Sequence, residues 1–247
     1  MISAYMAIKI LIVDDEKVLA DTLSKAMERE GYEVFKAYSG NAGLEIFKAN
    51  PDISLIFSDV RMDGGTGMDL LSGIRNTNPD IPVIVFFTGH TSESLEDAYD
   101  AGVDDVLNKP FDRKSMLNIL KQQLKIKEQL WSIKPEKFDS LHKILIPVAA
   151  IQDFGASKNL HIGRNGFFTT VLNSSMMEND FVQFEITESS SGRKLVGAGI
   201  IKWIRANPDG QNVAGAGILF QYLDPSSREF FASLKNLKSG IPKGLNS

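Results

Sequence analysis

The 247-residue sequence predicts two modules of different class: an α/β doubly wound five-stranded parallel sheet, then an antiparallel β-barrel with a terminal helix. Three observations carry this expectation. Through about residue 120, short apolar runs alternate with helical periodicity, the pattern of repeated βα units whose helices cover both sheet faces. After about residue 140 the pattern changes to apolar–polar alternation between turn clusters, as antiparallel strands require. The charge divides at the same place, with 14 Lys+Arg against 21 Asp+Glu through Trp131 and 13 against 10 beyond it. The first module is acidic and the second mildly basic, too mildly to favour nucleic acid.

In the first module the strands are expected at Ile8–Val13, Glu33–Ala37, Ile53–Ser58, Val83–Phe87 and Asp105–Leu107. Helical spacing lies between them, in Leu19, Leu23 and Met27 before Gly31, in Leu44, Ile46 and Phe47 before Pro51, and in Leu70, Leu71 and Ile74. A long segment, "DRKSMLNILKQQLKIKEQLW", follows with Asp112 as N-cap and an apolar stripe of Leu117, Leu120, Leu124 and Trp131. Its tail outruns the sheet and is expected to be a connecting helix or a dimer seam. "SIKPEKFDS" then reads as linker, with Pro135 ending the helix. The expected boundaries are 8–127 for the first domain, 128–139 for helix extension and linker, and 140–238 for the second domain.

In the second module "FVQFEIT" alternates Val182, Phe184 and Ile186 with polar neighbours. "KLVGAGIIKWIRAN" and "AGAGILFQYLD" are further strands, and Ser189–Gly192 and Asn207–Gly210 supply turns. A helix begins with Asp224 as cap and Pro225 in the first turn, with Phe230, Phe231 and Leu234 on its apolar face. The glycines of "GAGII" and "GAGIL" read as barrel bends, because no helix follows them as a phosphate loop would require.

Composition narrows the chemistry. With 43% hydrophobic and 23% charged residues the chain is an ordinary globular protein, not a disordered one. The absence of cysteine excludes disulfides, thiolate metal sites and a cysteine nucleophile, and fits a reducing cytoplasm. No apolar stretch approaches a membrane span. Met1–Ala7 lack the basic start and apolar core of a secretory signal, with Met6 as an alternative start.

The candidate site lies at strand ends. "KILIVDDEK" runs a buried-strand pattern into Asp14 and Asp15; "IFSDVRM" puts Asp59 at a strand tip, "VFFTGH" puts Thr88 there, and "NKPF" follows the fifth strand with Lys109. In open α/β sheets, ligands gather at the carboxyl ends of strands where the strand order switches. Three carboxylates offer hard oxygen ligands suited to Mg²⁺, and the ion relieves their repulsion. Asp59 is then placed as a nucleophile for phosphoryl transfer, with Thr88 and Lys109 as contacts to phosphoryl oxygens.

These motifs, "VDDE", "FSDVRMDGGTGMDLL", "FFTG" and "DDVLNKPF", resemble a response-regulator receiver domain, a flavodoxin-like fold. The resemblance implies that Asp59 is the phosphoacceptor and that Asp14, Asp15, Asp59 and the backbone carbonyl of Arg61 surround Mg²⁺. It implies that Thr88 is the switch hydroxyl, that Lys109 pairs with the phosphoryl group, and that the bond before Pro110 is cis. It further implies a histidine kinase or phosphotransfer protein as partner. Three positions depart from the family. Asp63 stands where proline is usual, in a Gly-rich loop expected to be loose. Val106 replaces the usual aromatic switch residue. Arg61 and His90 occupy the positions that tune phosphoryl lifetime.

The second module resembles a PilZ domain over roughly Ser140–Lys238, through "GFFTT", "DFVQFEIT", "GIIKWIR" and "GAGILFQYLDPSSREFF". That family clamps cyclic-di-GMP with an Arg-x-x-x-Arg segment and a D/N-x-S-x-x-G turn. Here "SIKPEKFDSLHKILIP" contains no Arg, and the turn is His161-Ile162-Gly163-Arg164-Asn165-Gly166, which keeps only the final Gly. Tight binding of the dinucleotide is therefore not expected. The resulting expectation is a cytoplasmic response regulator, not an enzyme beyond its own phosphoryl chemistry, whose degenerate PilZ-like module docks a downstream protein. The alternatives are a true cyclic-di-GMP effector and a phosphohydrolase using Asp59, although "SDVRM" lacks the second acid of a D-x-D pattern. No helix-turn-helix pattern follows Trp131, so DNA is not an expected partner.

Overall fold

The computed structural model describes residues 7–77, 82–89, 95–124, 131–136, 138, 141–149, 159–233, 237 and 239–244. It forms two compact units, Met1–Glu93 with Val103–Leu124, and Ser94–Gly102 with Lys125–Ser247.

The first unit is built on strands β1 (Lys9–Val13), β2 (Glu33–Ala37), β3 (Leu55–Asp59), β4 (Val83–Thr88) and β5 (Asp105–Asn108). All pair in parallel, in the order β2-β1-β3-β4-β5. The order reverses between β1 and β3, which makes their carboxyl ends the switch point of a doubly wound sheet. Registers such as Ile10↔Leu55 and Ile12↔Phe57 keep like faces aligned. Ile10, Ile12, Leu55, Phe57, Val85 and Phe87 thus share one face, packed with residues of α1 (Lys17–Glu28) and α5 (Arg113–Gln123). Each such side chain contributes roughly 1.5–3 kcal/mol by leaving water.

On the other face, α2 (Gly40–Ala49) brings Gly43 against Val13 and against Leu70 of α3 (Gly67–Arg75). Caps start these helices where short polar side chains offer acceptors. The Ser39 hydroxyl accepts from the Ala42 N–H, Thr66 and Asp69 form a reciprocal capping box, and Asp112 accepts from the Ser115 N–H at 2.7 Å. One buried ion pair fixes the entry to β5: Arg75 meets Asp104 at 2.8 Å, and Asp104 also accepts the Ile84 N–H at 2.7 Å.

The second unit contains the short helix α4 (Leu95–Asp100), strands β6 (His142–Val148), β7 (Leu160–Ile162), β8 (Gly166–Thr169), β9 (Phe181–Glu188), β10 (Lys194–Arg205) and β11 (Gly215–Leu223), and α6 (Pro225–Ser233). One sheet runs β6-β9-β10-β11-β8-β7. The expected antiparallel barrel is not what forms, because β6 pairs with β9 in parallel, giving a curled mixed half-barrel. The chain visits the far edge, through β7 and β8, before returning as β9. That long connection supplies the crossover a parallel pair needs. Segment 142–148, within the expected barrel domain, is an edge strand, with Pro147 tolerated there.

Phe167, Phe184, Phe220 and Phe231 fill the core of this unit, the Phe167–Phe184 and Phe220–Phe231 rings meeting at 4.9 and 4.8 Å. Trp131 does not continue the helical stripe. Its ring stands edge-on to Phe220 at 5.3 Å, and its carbonyl accepts the Leu223 N–H at 2.9 Å. Phe138, in the expected linker, is buried and meets the Tyr222 ring at 5.2 Å. Asp224 caps α6 by accepting the Ser227 N–H at 2.7 Å; Leu234 lies outside the described residues. Gly217 is required by packing, since a Cβ there would fall 2.3 Å from the Trp203 indole.

Across β6, β9 and β10, Glu185 accepts from Lys143 at 2.8 Å and from Lys194 at 2.6 Å. These hydrogen bonds hold its carboxyl at about 2, against an ordinary 4.5. A depressed carboxyl stabilises the fold fully above the unfolded value and loses that contribution as pH falls toward the folded one. Glu185→Gln is therefore expected to lower stability at pH 7 by about 1 kcal/mol or less, the lysines being exposed and screened. The gap to wild type should close between about pH 5 and pH 2 in urea midpoints. A gap that persists unchanged at pH 2 rejects the ion-pair account.

Candidate functional site

The carboxyl ends of β1 and β3 bring Asp14, Asp15 and Asp59 together, one oxygen of each lying within 4.8 Å of the others. Asp14 is fully buried, Asp59 half-buried and Asp15 exposed. Backbone geometry aims two of them. The Glu16 N–H donates to Asp14 Oδ1 at 2.9 Å, and the Val60 N–H donates to Asp59 Oδ1 at 2.7 Å. Each carboxylate keeps its other oxygen for the Lys109 ammonium, which meets Asp14 Oδ2 at 3.0 Å and Asp59 Oδ2 at 2.7 Å.

Burial pushes the Asp14 carboxyl above the usual carboxylate range, against the pull of its hydrogen bonds to Lys109 and to the Glu16 N–H. Burial would push Lys109 down, but its hydrogen bonds to Asp59 and Asp14 outweigh this and hold the ammonium above the ordinary lysine value. One cation is thus shared by two acids, and a buried carboxylate remains short of positive charge.

The remaining predicted residues fall around this rim. Thr88, half-buried, ends β4, and its carbonyl accepts the Lys109 N–H at 2.6 Å. The Lys109–Pro110 bond is cis. Arg61 is exposed in the loop after β3, just beyond Val60, whose carbonyl accepts the Gly67 N–H at 2.9 Å. Val106 is half-buried on β5 and pairs in register with Phe86. His90 lies outside the described residues.

The loop after β3 is tethered more closely than its glycines suggest. The Gly40 N–H donates to the Gly65 carbonyl at 2.8 Å, and the Asp63 N–H points to Asp15 Oδ2 at 3.4 Å.

Two features of the site were not read from the sequence. Phe87 stacks between Phe57 at 5.3 Å and Phe111 at 4.6 Å, and the Lys109 ammonium lies 6.0 Å from its ring. The signal was present in "VFFTGH", where Phe87 adjoins Thr88, and in "NKPF", where Phe111 follows Lys109 by two residues. Gly67 is the second: a Cβ there would lie 2.4 Å from the Asp59 carbonyl, so only Gly lets α3 start beside the acceptor strand.

A sequence model of the response regulator receiver domain matches residues 10–121. Over those residues the chain belongs to the response regulator receiver family. Similar solved structures include a receiver domain protein from Clostridium thermocellum, 30% identical over 47% of this chain and 94% of that one, with a TM-score of 0.44. The chemotaxis response regulator CheY4 of Vibrio cholerae is 28% identical over 48% of this chain and 100% of that one, with a TM-score of 0.45. The receiver domain of NtrX from Brucella abortus is 28% identical over 47% and 97%, with a TM-score of 0.42.

A receiver domain implies phosphorylation-dependent signalling. Receiver domains generally bind Mg²⁺ at an acidic pocket, and the donor set here fits that ion: three hard carboxylate oxygens converge, one from a buried acid. Asp14, Asp15 and Asp59 would hold it, and its charge would neutralise an incoming phosphoryl group. Lys109 already engages two of these acids, so it would compete with a divalent ion for the same carboxylates. Lys109→Met should therefore tighten Mg²⁺ binding about tenfold, equivalent to about 1.4 kcal/mol, the scale of one charge-assisted hydrogen bond. Calorimetric Mg²⁺ titration reads this directly, and an unchanged or weaker affinity rejects the competition.

Proposed function

We propose that this chain is a response regulator in which Asp59 accepts a phosphoryl group with Mg²⁺ present and the second unit passes the signal to another protein. The observation that carries the reading is the shared ammonium: Lys109 bonds Asp59 at 2.7 Å and Asp14 at 3.0 Å at the switch point of the sheet. Asp59 Oδ2 attacks the donor phosphorus, the bond from phosphorus to the donor's leaving atom (an imidazole nitrogen in a phosphohistidine, a carboxylate oxygen in acetyl phosphate) breaks with its electron pair going to that atom, and an acyl phosphate results. Lys109 then exchanges a carboxylate partner for a phosphoryl oxygen, and the Thr88 hydroxyl lies on the neighbouring strand end to donate a hydrogen bond. Histidine kinases or phosphotransfer proteins are the donors this reading implies.

For the second unit the reading is a PilZ-like module that works as a protein-interaction surface without a nucleotide. Its altered turn is committed to protein contacts. The His161 ring meets Phe168 edge-on at 5.9 Å, the Gly163 N–H donates to the Gly166 carbonyl at 2.8 Å, and the Arg164 guanidinium donates to the Gly102 carbonyl at 2.7 Å. That contact draws the guanidinium toward the protein's own backbone. Among the described residues no helix is long and apolar enough to cross a membrane.

Acetyl phosphate with Mg²⁺ should add one phosphate to the full chain, detected by intact mass, and none to Asp59→Ala. Labelling that survives removal of divalent metal, or that persists in Asp59→Ala, refutes the acceptor assignment. Separately, calorimetry with cyclic-di-GMP should show no submicromolar binding, because each missing charge-assisted contact removes roughly 1.5–3 kcal/mol. Submicromolar binding would instead establish a nucleotide effector.

A further inference from the structure

The sheet of the second unit has two unlike edges. At one, β7 has three residues, too short to offer a pairing surface. At the other, β6 runs for seven residues, and among the described residues only β9 pairs with it. In an extended strand the N–H and C=O of one residue point to the same edge, and successive residues alternate. The Ser189 N–H donates to the Val148 carbonyl at 2.8 Å, so Val148 turns toward β9, and Ile146 and Ile144 with it. Lys143, Leu145 and Pro147 therefore turn their backbone groups outward, which puts Pro147 where the β6–β9 ladder needs no N–H. The open edge presents the N–H and C=O of Lys143, the N–H and C=O of Leu145, and the C=O of Pro147.

Open edges are ordinarily blunted by charged side chains, by proline or by a covering segment. Lys143 and Pro147 are residues of that kind, yet neither closes this edge. The Lys143 ammonium is already matched within its own sheet by Glu185 at 2.8 Å. Held at about 2, the Glu185 carboxyl stays ionised across the neutral range and keeps that match. Pro147 withdraws one donor near the end of the strand and leaves its carbonyl free. Between these two the edge carries no charge at all: Leu145 is apolar and 56% exposed.

We propose that β6 is a self-association edge, on which two copies of the chain pair antiparallel about a two-fold axis at Leu145 and join their sheets into one. Pairing about the central residue overlaps the whole of β6. Leu145 exchanges both backbone hydrogen bonds with Leu145 of the other copy, and each Lys143 N–H reaches the Pro147 carbonyl across the axis. Every outward N–H of the edge is used, and none is asked of Pro147. On the outer face the two Leu145 side chains cover each other, while Ile144 stands opposite Ile146 on the inner face. Each Lys143 stands opposite Pro147, and the two lysines lie at opposite ends of the paired strands, so no like charges oppose one another. The edge is thus complementary to itself, as an isologous contact requires. A foreign strand would have to reproduce an apolar centre and a donor-free end that this chain already carries. The inference concerns the second unit and does not rest on the reading of Asp59.

Sedimentation of the full chain over a concentration series should show a monomer–dimer equilibrium, and a pure monomer at about 1 mM overturns the proposal. Leu145→Lys and Leu145→Glu each set two like charges across the axis, and each should weaken self-association about tenfold or more. Because position 145 meets itself, an equimolar mixture of the two variants should associate again, to within about threefold of wild type. A dimer that neither substitution weakens overturns the proposal, and so does a mixture that stays monomeric. Circular dichroism checks that both variants are folded. If one is not, amide exchange of the wild-type chain at low and high concentration decides. The Leu145 amide, unpaired in the monomer, should exchange about tenfold more slowly or less when concentrated, while that of Ile144, turned toward β9, should not change. Equal exchange at Leu145 at the two concentrations overturns the proposal.

Discussion

Three carboxylates at neighbouring strand ends repel one another, and one of them, Asp14, is fully buried. The rest of the first unit is arranged around the cation that makes this tolerable. Lys109 must arrive from β5, two strands away from β3, so the parallel order and its registers set the 2.7 Å and 3.0 Å contacts. The Arg75–Asp104 pair matters for the same reason, because it fixes the start of the strand that delivers the lysine. Replacing Lys109 by an apolar residue without supplying a metal would leave a buried charge uncompensated, a costly arrangement in a low-dielectric site. The arrangement is poised, since a single ammonium divided between two acids satisfies neither completely.

Much of this was legible because each signal was local and strong. Buried parallel strands are apolar throughout, and "KILIV", "LIFSD" and "VIVFF" say so without reference to the rest of the chain. Strand ends followed by Asp14, Asp59, Thr88 and Lys109 identified the site, since an α/β sheet has only one edge where such ends meet. Less legible were elements whose identity depends on a partner. In β6, "HKILIPV" is apolar on both faces because Leu145 is exposed, which blurs the alternation of Ile144, Ile146 and Val148. Trp131 fits a helical spacing by arithmetic, yet its ring is claimed by Phe220. Parallel pairing of β6 with β9 has no local sequence signature at all.

In the second unit, contacts show what constrains a turn whose residues alone leave its role open. In the His161–Gly166 turn, Gly163 and Gly166 are constrained by the close approach of residues 239–241, not by a ligand base. The stack of Phe168 on Trp203 at 5.6 Å, with Arg205 beside both rings, is likewise a packed layer beneath residues 239–244 and not an open platform. The residues of the turn were expected to be an altered nucleotide motif; its contacts are with the protein's own backbone at residues 239–241. The distinction turns on where the polar groups of Arg164 point, and its backbone and guanidinium both meet protein carbonyls.

The absence of an aromatic residue at Val106 gains meaning beside this. A small aliphatic side chain, half-buried opposite Phe86, offers no bulky rotamer to move between two states. A switch nevertheless needs an element with two arrangements of comparable free energy, because a ligand can shift an equilibrium only by its differential affinity for the two. Helix α4 has the properties such an element requires. It is too short to be independently stable. It is held by the buried Tyr99 together with the ion pairs Glu96–Arg205 and Asp97–Lys243, so its stability comes from its surroundings and not from its own length. Contacts through Glu96, Asp97, Asp100 and the buried Tyr99 make a six-residue helix dependent on its surroundings, which is the physical condition for responding to their state.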